Sequence, residues 1–457
     1  MHLLLRNALL TAIAVIPNIS LAANPFLPGW EYIPDGEPRV FGDRVYLYGS
    51  HDRAGSKEFC DTILRVWSAP LADLNTWTDH GITFSTRTVD GHADDVSWSD
   101  NNLYAPDVVK KDGCYYLYAQ IVGAPCAVAV SDSPAGPFRL VSQIKKPKDS
   151  PMDFGGWSQY FDPGVLVDDD GKVFLYWGGG SSHMAQLNPQ NMTEILPDTY
   201  QANILPTQPP FNYQEGPSPR KIHGVYYLVF AAGADLSYAT SDSPNGPFTY
   251  RGVIVSNSGD APGGNIHGGL AQLNGKWYIF YHRMTHNTVF SRRACAEPLT
   301  IQPDGRIQKV EQTSLGFQTN LDPYQTTPAD IACVLKGGGY VTELDRDTRP
   351  VIHNKNGSVV GFKYFDFGKP ASLSLSLRIR GGSAPCRIQV QSGRPGEVPV
   401  NIGELHIGAD PSGAWRDVTT KVTPIHGRAA IFFSFSSDSP DQPCCDLLSF
   451  RFQQSHP

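Results

Sequence analysis

Short apolar runs of about five residues, each preceded by a glycine turn, recur along the first two thirds of the chain. Five of these runs share one pattern, a glycine followed by a strand rich in aromatic residues, and their centres are Tyr46, Tyr116, Phe174, Tyr227 and Tyr278. A repeat of about 50 residues built from short strands is typical of a β-propeller, in which each repeat is one blade. The sequence therefore predicts an all-β fold with a five-bladed β-propeller over residues 24–317.

Two further segments support this division into blades. Residues 127–138 and 236–248 are near copies of each other, and both run from an apolar strand into a Ser-Asp-Ser-Pro turn. Each begins 9 to 11 residues after its aromatic centre, where the third strand of a blade is expected.

The pattern changes after residue 317. From residue 331 onward, apolar and polar residues alternate with period two, as in residues 371–380 and 429–435, and turns rich in Gly, Pro and Asp separate the runs. Alternation of this kind predicts strands with one buried face. We expect a separate C-terminal β-sandwich over residues 331–457.

One polar residue precedes each aromatic centre by 9 to 12 positions, where the innermost strand of a blade should begin. These residues are Asp35, Asp107, Asp162, Glu215 and His267. Because the innermost strands of a propeller surround its axis, the sequence predicts that four carboxyl groups and an imidazole meet there.

The N-terminus has the organisation of a secretory signal peptide over residues 1–22. Arg6 supplies a positive charge, residues 8–16 are mostly apolar, and small residues up to Ala23 offer a cleavage site. Pro17 ends the apolar run well short of the about 20 residues that a membrane span needs. We therefore expect a secreted, extracellular protein with no membrane partner.

Composition narrows the choice of partners. The net charge is −7 and no basic stripe is present, which argues against nucleic acid binding. Eight cysteines would be able to form disulfides in an exported protein, with the pairing left open, and no Cys-x-x-Cys pair indicates structural zinc. We expect a monomer.

Cleavage of a glycosidic bond requires two carboxyl groups on opposite sides of the sugar, one protonated and one ionised. A third carboxylate near the acid raises its pKa by repulsion. Asp35, Asp162 and Glu215, from three different blades, would supply such a set.

The segments around these residues resemble the motifs of glycoside hydrolase family 43. The resemblance covers roughly residues 24–315 and rests on Pro34-Asp35, Ala105-Pro106-Asp107, Phe161-Asp162-Pro163-Gly164, Glu215-Gly216-Pro217-Ser218 and His267-Gly268-Gly269. It implies a five-bladed propeller that hydrolyses glycosides with inversion of configuration.

The resemblance also implies individual roles. Asp35 would be the general base and Glu215 the general acid, while Asp162 would raise the pKa of the acid and orient it. His267 would lie beside a bound calcium ion or water, and Arg283 would contact the substrate. No cofactor is required for the chemistry, and one structural calcium near the axis is the metal that the resemblance allows.

Alternatives remain for several of these residues. Glu37 shares a strand face with Asp35, but Asp35 is favoured as the base because it keeps the spacing of 11 to Tyr46. Asp107 either contacts the sugar or braces the backbone, and His267 could instead be a core histidine. Two tryptophans either stack on the sugar or pack in the core, namely Trp98 and Trp157.

The C-terminal segment resembles a family 6 carbohydrate-binding module in residues 362–365 and Trp415. It either binds carbohydrate or only packs against the propeller.

These expectations combine in a secreted glycosidase that binds polysaccharide or oligosaccharide. It would remove terminal α-L-arabinofuranosyl or β-D-xylosyl residues from plant cell-wall polysaccharides such as xylan. Two alternatives are a β-D-galactofuranosidase on the same scaffold and a non-catalytic sugar-binding propeller. Sugar binding alone does not require three carboxylates in register, so the enzyme is favoured.

Overall fold

The structure, a computed structural model, describes residues 23–148, 160–260, 262–410 and 412–454. The predicted signal peptide and Trp157 lie outside these residues. The described residues are arranged in β-strands with one 3-10 turn, Ala329–Ile331, and no α-helix. No helix in this part of the chain has the length and apolar character to cross a membrane.

Five antiparallel sheets follow one another along the chain, and within each sheet consecutive strands are neighbours. The first contains β1 (Glu37–Phe41), β2 (Arg44–Tyr48), β3 (Ile63–Pro70) and β4 (Thr78–Ser85). The second contains β5 (Leu103–Lys111), β6 (Cys114–Ile121), β7 (Ala127–Ser131) and β8 (Arg139–Gln143). The third contains β9 (Gly164–Val167), β10 (Val173–Trp177), β11 (His183–Leu187) and β12 (Gln201–Ala202). The fourth contains β13 (Glu215–Ile222), β14 (Val225–Ala232), β15 (Asp235–Ser241) and β16 (Thr249–Ser256), and the fifth contains β17 (Gly268–Leu273), β18 (Lys276–Met284) and β19 (Arg292–Leu299).

The first strands of the five sheets lie side by side. β1 contacts β5, β5 contacts β9, β9 contacts β13, β13 contacts β17, and β17 contacts β1. Buried apolar side chains fill the spaces between consecutive sheets. One such cluster joins the fifth sheet to the first, through Phe280 on one side and Leu47 on the other.

The N-terminal segment lies along the edge of the fifth sheet. The Phe26 N–H donates to the carbonyl oxygen of Ala294 on β19. Asn24 is fully buried, and its amide both donates to the carbonyl oxygen of Ala296 and accepts from the N–H of that residue, at 2.8 and 2.9 Å. The chain therefore brings its N-terminal residues onto the last of the five sheets.

The turns between first and second strands explain the glycine of the repeated pattern. In the fourth and fifth sheets these turns are His223-Gly224 and Asn274-Gly275, and all four residues have φ between 50° and 83°. Glycine adopts such angles without steric cost and asparagine tolerates them, so an Asn-Gly pair favours the two-residue hairpin.

The rest of the chain forms two further sheets. One has the order β22 (Tyr340–Val341), β23 (Val351–Asn354), β30 (Cys445–Gln454), β25 (Leu373–Gly381), β28 (Trp415–Val422), with β20 (Thr327–Pro328) also on β30. The other has the order β21 (Val334–Lys336), β24 (Val359–Asp366), β29 (Arg428–Ser436), β26 (Cys386–Gly393), β27 (Val400–Ile407). Residues from both sheets share one apolar core, as the period-two alternation predicts.

All eight cysteines, which lie within the described part of the chain, carry free thiols. The structure thus contains none of the disulfides that the cysteine count would permit.

Candidate active site

A cavity of about 320 Å³ opens where the first strands of the sheets begin. Asp35, Asp162 and Glu215 all line it, so the structure brings together the three carboxyl groups that the sequence singles out. The other lining residues are Phe59, Cys60, Tyr104, Gln120, Val122, Phe161, Gln214, Asn265 and Arg292.

Strand position explains why these carboxyl groups meet. Asp35 and Asp162 lie two residues before β1 and β9, and Glu215 is the first residue of β13. Asp107 lies within β5, four residues after its first residue. Tyr104, which is 12 residues before its aromatic centre like Asp162 and Glu215, takes the corresponding place in the cavity.

Asp107 belongs to a deeper layer of buried charges. Arg39 donates two hydrogen bonds to its carboxylate, at 2.9 and 2.6 Å. Glu37 lies in the same layer and pairs with Arg220 at 2.5 Å. Neither Asp107 nor Glu37 lines the cavity. Asp107 therefore braces the inner strands. Of the two candidates for the base, Asp35 and Glu37, it is Asp35 that reaches the cavity.

Asp35 is held in its ionised form. Burial alone would raise the pKa of Asp35, but the positive charge of Arg292, with smaller contributions from the neighbouring His282 and His267, outweighs burial and holds the pKa well below its usual range. Arg292 Nη1 donates to Asp35 Oδ1 at 3.0 Å, and the Ser50 hydroxyl donates to Oδ2 at 2.7 Å. At neutral pH the group is a carboxylate.

Glu215 and Asp162 experience the opposite environment. Burial and the charge of Asp35 raise the pKa of Glu215 to about 7, and Arg292 opposes this only in part. Burial, followed by repulsion from Glu215 and Asp35, raises the pKa of Asp162 well above its usual range. Carboxyl groups with pKa values pushed apart in one cavity are the pattern of an acid–base pair.

His267 lies between the carboxylates at the edge of this cluster. Its Nδ1 is 3.8 Å from Asp35 Oδ1 and 3.7 Å from Asp162 Oδ2. Burial lowers the pKa of His267 and favours the neutral imidazole.

The residues around His267 do not fit a protein-built calcium site. Calcium takes about six to eight oxygen ligands, and in the described part of the chain no group of three or more His, Cys, Asp or Glu residues has the geometry to hold a metal ion.

Arg283 does not reach the cavity. It is buried against Asp260, with Nη2 2.8 Å from Oδ1, and its Nη1 donates to the carbonyl oxygen of Ala332, which precedes β21. Arg292, the first residue of β19, is the arginine that lines the cavity. Side chains alternate between faces along a strand, so in Tyr281-His282-Arg283 it is His282 that faces Asp35.

Trp98 does not line the cavity either. Trp98 packs against the apolar cluster between the first and second sheets, and Trp157 lies outside the described residues. Aromatic walls are supplied instead by Phe59, Tyr104 and Phe161.

Gln120 is a site residue that the sequence does not reveal. Its Oε1 accepts the Asp162 N–H at 2.9 Å, while its buried Nε2 has no partner among the described residues. Because a buried donor without a partner is costly, this amide is ready to donate to a ligand in the cavity.

The fold and the paired carboxyl groups define a glycoside hydrolase. The sequence profile of the glycosyl hydrolases family 43 matches residues 22–307. A xylosidase/arabinosidase of Thermoclostridium stercorarium is 34% identical over 471 residues, which cover 90% of this chain and 95% of that protein. An arabinoxylan arabinofuranohydrolase of Bacillus subtilis (strain 168) is 27% identical over 472 residues, which cover 91% and 89% of the two chains.

Among solved structures, a glycoside hydrolase family 43 arabinoxylan arabinofuranohydrolase from Bacillus subtilis, in complex with cellotetraose, has a similar fold. The TM-score is 0.54 at 24% identity, and the match covers 95% of this chain and 99% of the other. The chain belongs to glycosyl hydrolases family 43, which confirms the family that the motifs resemble.

Proposed function

We propose that this glycoside hydrolase removes terminal α-L-arabinofuranosyl or β-D-xylosyl residues from plant cell-wall polysaccharides. The observation that carries the proposal is the division of protonation in one small cavity, where Asp35 is ionised and Glu215 retains a proton near neutral pH. A cavity of about 320 Å³ suits one terminal sugar rather than an extended chain. The choice of sugar is supported by the two relatives, a xylosidase/arabinosidase and an arabinoxylan arabinofuranohydrolase.

In this mechanism Glu215 protonates the oxygen of the leaving group while Asp35 removes a proton from the attacking water. Burial and the charge of Asp35 keep the pKa of Glu215 high, and Asp162, which itself ionises reluctantly, lies beside the acid. Arg292 keeps Asp35 ionised, and the free Nε2 of Gln120 donates to a sugar hydroxyl. Since Asp35 activates water instead of attacking the sugar, hydrolysis inverts the anomeric configuration.

The substrate is tested with 4-nitrophenyl α-L-arabinofuranoside, β-D-xyloside and β-D-galactofuranoside. We expect the wild type to release nitrophenol from one or both of the first two. Asp35→Asn should lose activity, and Glu215→Gln should keep part of it because nitrophenol is a good leaving group that needs little protonation. Asp304→Asn, an equivalent change at an exposed carboxylate, should keep full activity. Release only from the galactofuranoside, or none from any of the three, would contradict the proposed sugar.

The stereochemistry is tested separately by proton NMR of the first sugar released. Appearance of the anomer opposite to that of the substrate supports water activation by Asp35. Appearance of the same anomer would mean that a carboxylate attacks the sugar directly, and the proposed roles would fail.

We propose that the five sheets form a closed five-bladed propeller. The cyclic contacts of the first strands and the apolar cluster between the fifth and first sheets support closure. The N-terminal segment along β19 adds a second tie between the ends of the repeat region.

We propose that the two C-terminal sheets form a separate domain of the type of family 6 carbohydrate-binding modules. Trp415 is partly exposed and lies under the guanidinium of Arg380, 5.0 Å from the ring centroid. Binding of the full chain to insoluble xylan, compared with Trp415→Ala, tests sugar binding at this tryptophan. Equal binding of the two would limit Trp415 to a packing role.

We also propose that residues 1–22 direct secretion and are then removed. N-terminal sequencing of protein from the culture medium should begin near Ala23. Retention of residues 1–22 in the mature protein would contradict this.

A further inference from the structure

We infer that Asn265 is a positioning residue that directs the acidic proton of Glu215 onto Oε2, the oxygen left free for the leaving group. The inference rests on the proposed function, in which Glu215 is the general acid. It is carried by a chain of hydrogen bonds that runs from the backbone of Asp35 through His282 and Asn265 to Glu215.

The first link fixes the protonation of His282. The backbone N–H of Asp35 donates to His282 Nδ1 at 3.1 Å, so Nδ1 is an acceptor. His282 is fully buried, and burial lowers its pKa, which leaves the ring neutral. A neutral imidazole carries one proton, and here that proton must be on Nε2.

The next link fixes the orientation of the Asn265 amide. His282 Nε2 lies 2.8 Å from Asn265 Oδ1, and Arg292 Nη1 donates to the same oxygen at 3.1 Å. A guanidinium can only donate hydrogen bonds. Two donors therefore hold the oxygen end of the amide, and its nitrogen must face the other way.

The amide nitrogen faces the acid. Asn265 Nδ2 is 3.4 Å from Glu215 Oε1, and an amide nitrogen only donates. In the described part of the chain this is the one hydrogen bond to the Glu215 carboxyl. Because Oε1 accepts this bond, the proton of the neutral acid belongs on Oε2.

Other charged and titratable groups also face Glu215, but they act on it through space. They are Asp35, Asp162, Tyr213 and Arg292, from the segments before β1, β9 and β13 and from β19. They set how tightly the proton is held, whereas Asn265 distinguishes the two oxygens.

The side chain of Asn265 is not needed to hold its own backbone. The side-chain amide of Asn257 donates to the Asn265 carbonyl oxygen at 2.8 Å and to the His282 carbonyl oxygen at 2.9 Å. This makes Asn257→Ala a matched control, because it loosens the same segment and leaves the Asn265 amide in place.

The test is kcat/KM for glycosides of the accepted sugar whose leaving groups range from 2,4-dinitrophenol to an alkyl alcohol. Protonation matters only for poor leaving groups, and general acid catalysis contributes about 10²–10⁴-fold. In Asn265→Ala, kcat/KM should fall about 10- to 100-fold for the alkyl glycoside and less than about threefold for the dinitrophenyl glycoside. Its alkaline pH limb should move to higher pH, because a lost N–H donor no longer favours the carboxylate.

Asn265→Asp preserves the size of the side chain and, when ionised, cannot donate to Glu215. It should show the same leaving-group dependence, and it provides the measurement if the alanine variant does not fold. Asn257→Ala should lower activity on all leaving groups equally and leave the alkaline limb in place. Uniform losses for both Asn265 variants would overturn the inference.

Glu215→Ala, measured on the same series, separates this inference from the proposed function. If Glu215→Ala loses activity only on poor leaving groups and the Asn265 variants do not, the inference alone fails. If the activity of Glu215→Ala shows no dependence on the leaving group, Glu215 is not the acid. The inference about Asn265 and the proposed function of Glu215 would then both be wrong.

Discussion

Arg292 Nη1 donates to Asp35 Oδ1 across 3.0 Å, and the same guanidinium is held from behind by both oxygens of the buried Asp52. This arrangement places one fixed positive charge beside one of the three carboxyl groups of the cavity. Asp35 therefore ionises easily, while Glu215 and Asp162 remain reluctant to ionise. The proposed chemistry depends on a difference in protonation between Asp35 and Glu215, and this difference originates in Arg292 of β19.

Removal of the Arg292 charge should raise the pKa of Asp35. The base works only when ionised, so the acidic limb of kcat/KM against pH should move to higher pH in Arg292→Gln, by about 1 unit or more. Arg293→Gln is the matched control, because Arg293 pairs with Glu343 instead. An unchanged acidic limb in Arg292→Gln would show that this charge does not govern the base.

Asp162→Asn tests whether Asp162 acts on the acid through its charge. The pKa of Asp162 is raised well above its usual range, so this group is uncharged while Glu215 ionises near pH 7. The alkaline limb of kcat/KM should therefore stay within about 0.3 pH unit of its wild-type position in Asp162→Asn. Asp168→Asn, which removes a carboxylate paired with Lys221 outside the cavity, is the matched control. A shift of the alkaline limb to lower pH by about 1 unit in Asp162→Asn alone would show that Asp162 is ionised and repels the charge of Glu215.

Arg283 should matter for stability rather than for substrate binding. Arg283→Leu leaves Asp260 unpaired, and breaking a buried ion pair costs about 3 kcal/mol of unfolding free energy. Because Arg283 lies outside the cavity, KM should change by less than about twofold. Urea unfolding and kinetics check both, and Arg283→Leu combined with Asp260→Asn should recover part of the stability. A large rise in KM with normal stability would show that Arg283 contacts the substrate after all.

Asn24 should contribute strongly to stability, because it ties the N-terminal segment to β19. Its amide bonds to Ala296, to Glu297 Oε1 and to the carbonyl oxygen of Thr313. Asn24→Ala leaves several buried groups without partners and should lower the free energy of unfolding by about 2–3 kcal/mol. A loss below about 0.5 kcal/mol, the size expected at the surface, would mean that this tie is dispensable.

The fold was largely predictable because its signals are local. A glycine turn and an aromatic strand define a hairpin within a few residues, and their return along the chain predicts successive sheets. The same spacing located Asp35, Asp162 and Glu215. The spacing failed for Asp107, which lies 9 residues before its aromatic centre instead of 11 or 12. At about 3.3 Å per residue of a strand, this difference places Asp107 deeper along its strand by up to about 10 Å.

The rest of the site depends on contacts between distant segments. Arg292 comes from a third strand and Phe59 and Cys60 from a loop before β3, and no repeat spacing marks either. Asn265 lies two residues before His267, and His282 directly precedes Arg283, so both were adjacent to motifs already singled out. Only the packed structure shows which neighbour faces the carboxylates.

The pH dependence of wild-type kcat/KM tests the central claim most directly, namely that Asp35 and Glu215 work as base and acid with separated pKa values. We predict a bell-shaped profile with an alkaline limb near pH 7, from Glu215, and an acidic limb set by Asp35 well below the ordinary pKa of an aspartate. Activity that persists unchanged above pH 8, or an alkaline limb that survives in Glu215→Gln, would contradict the account.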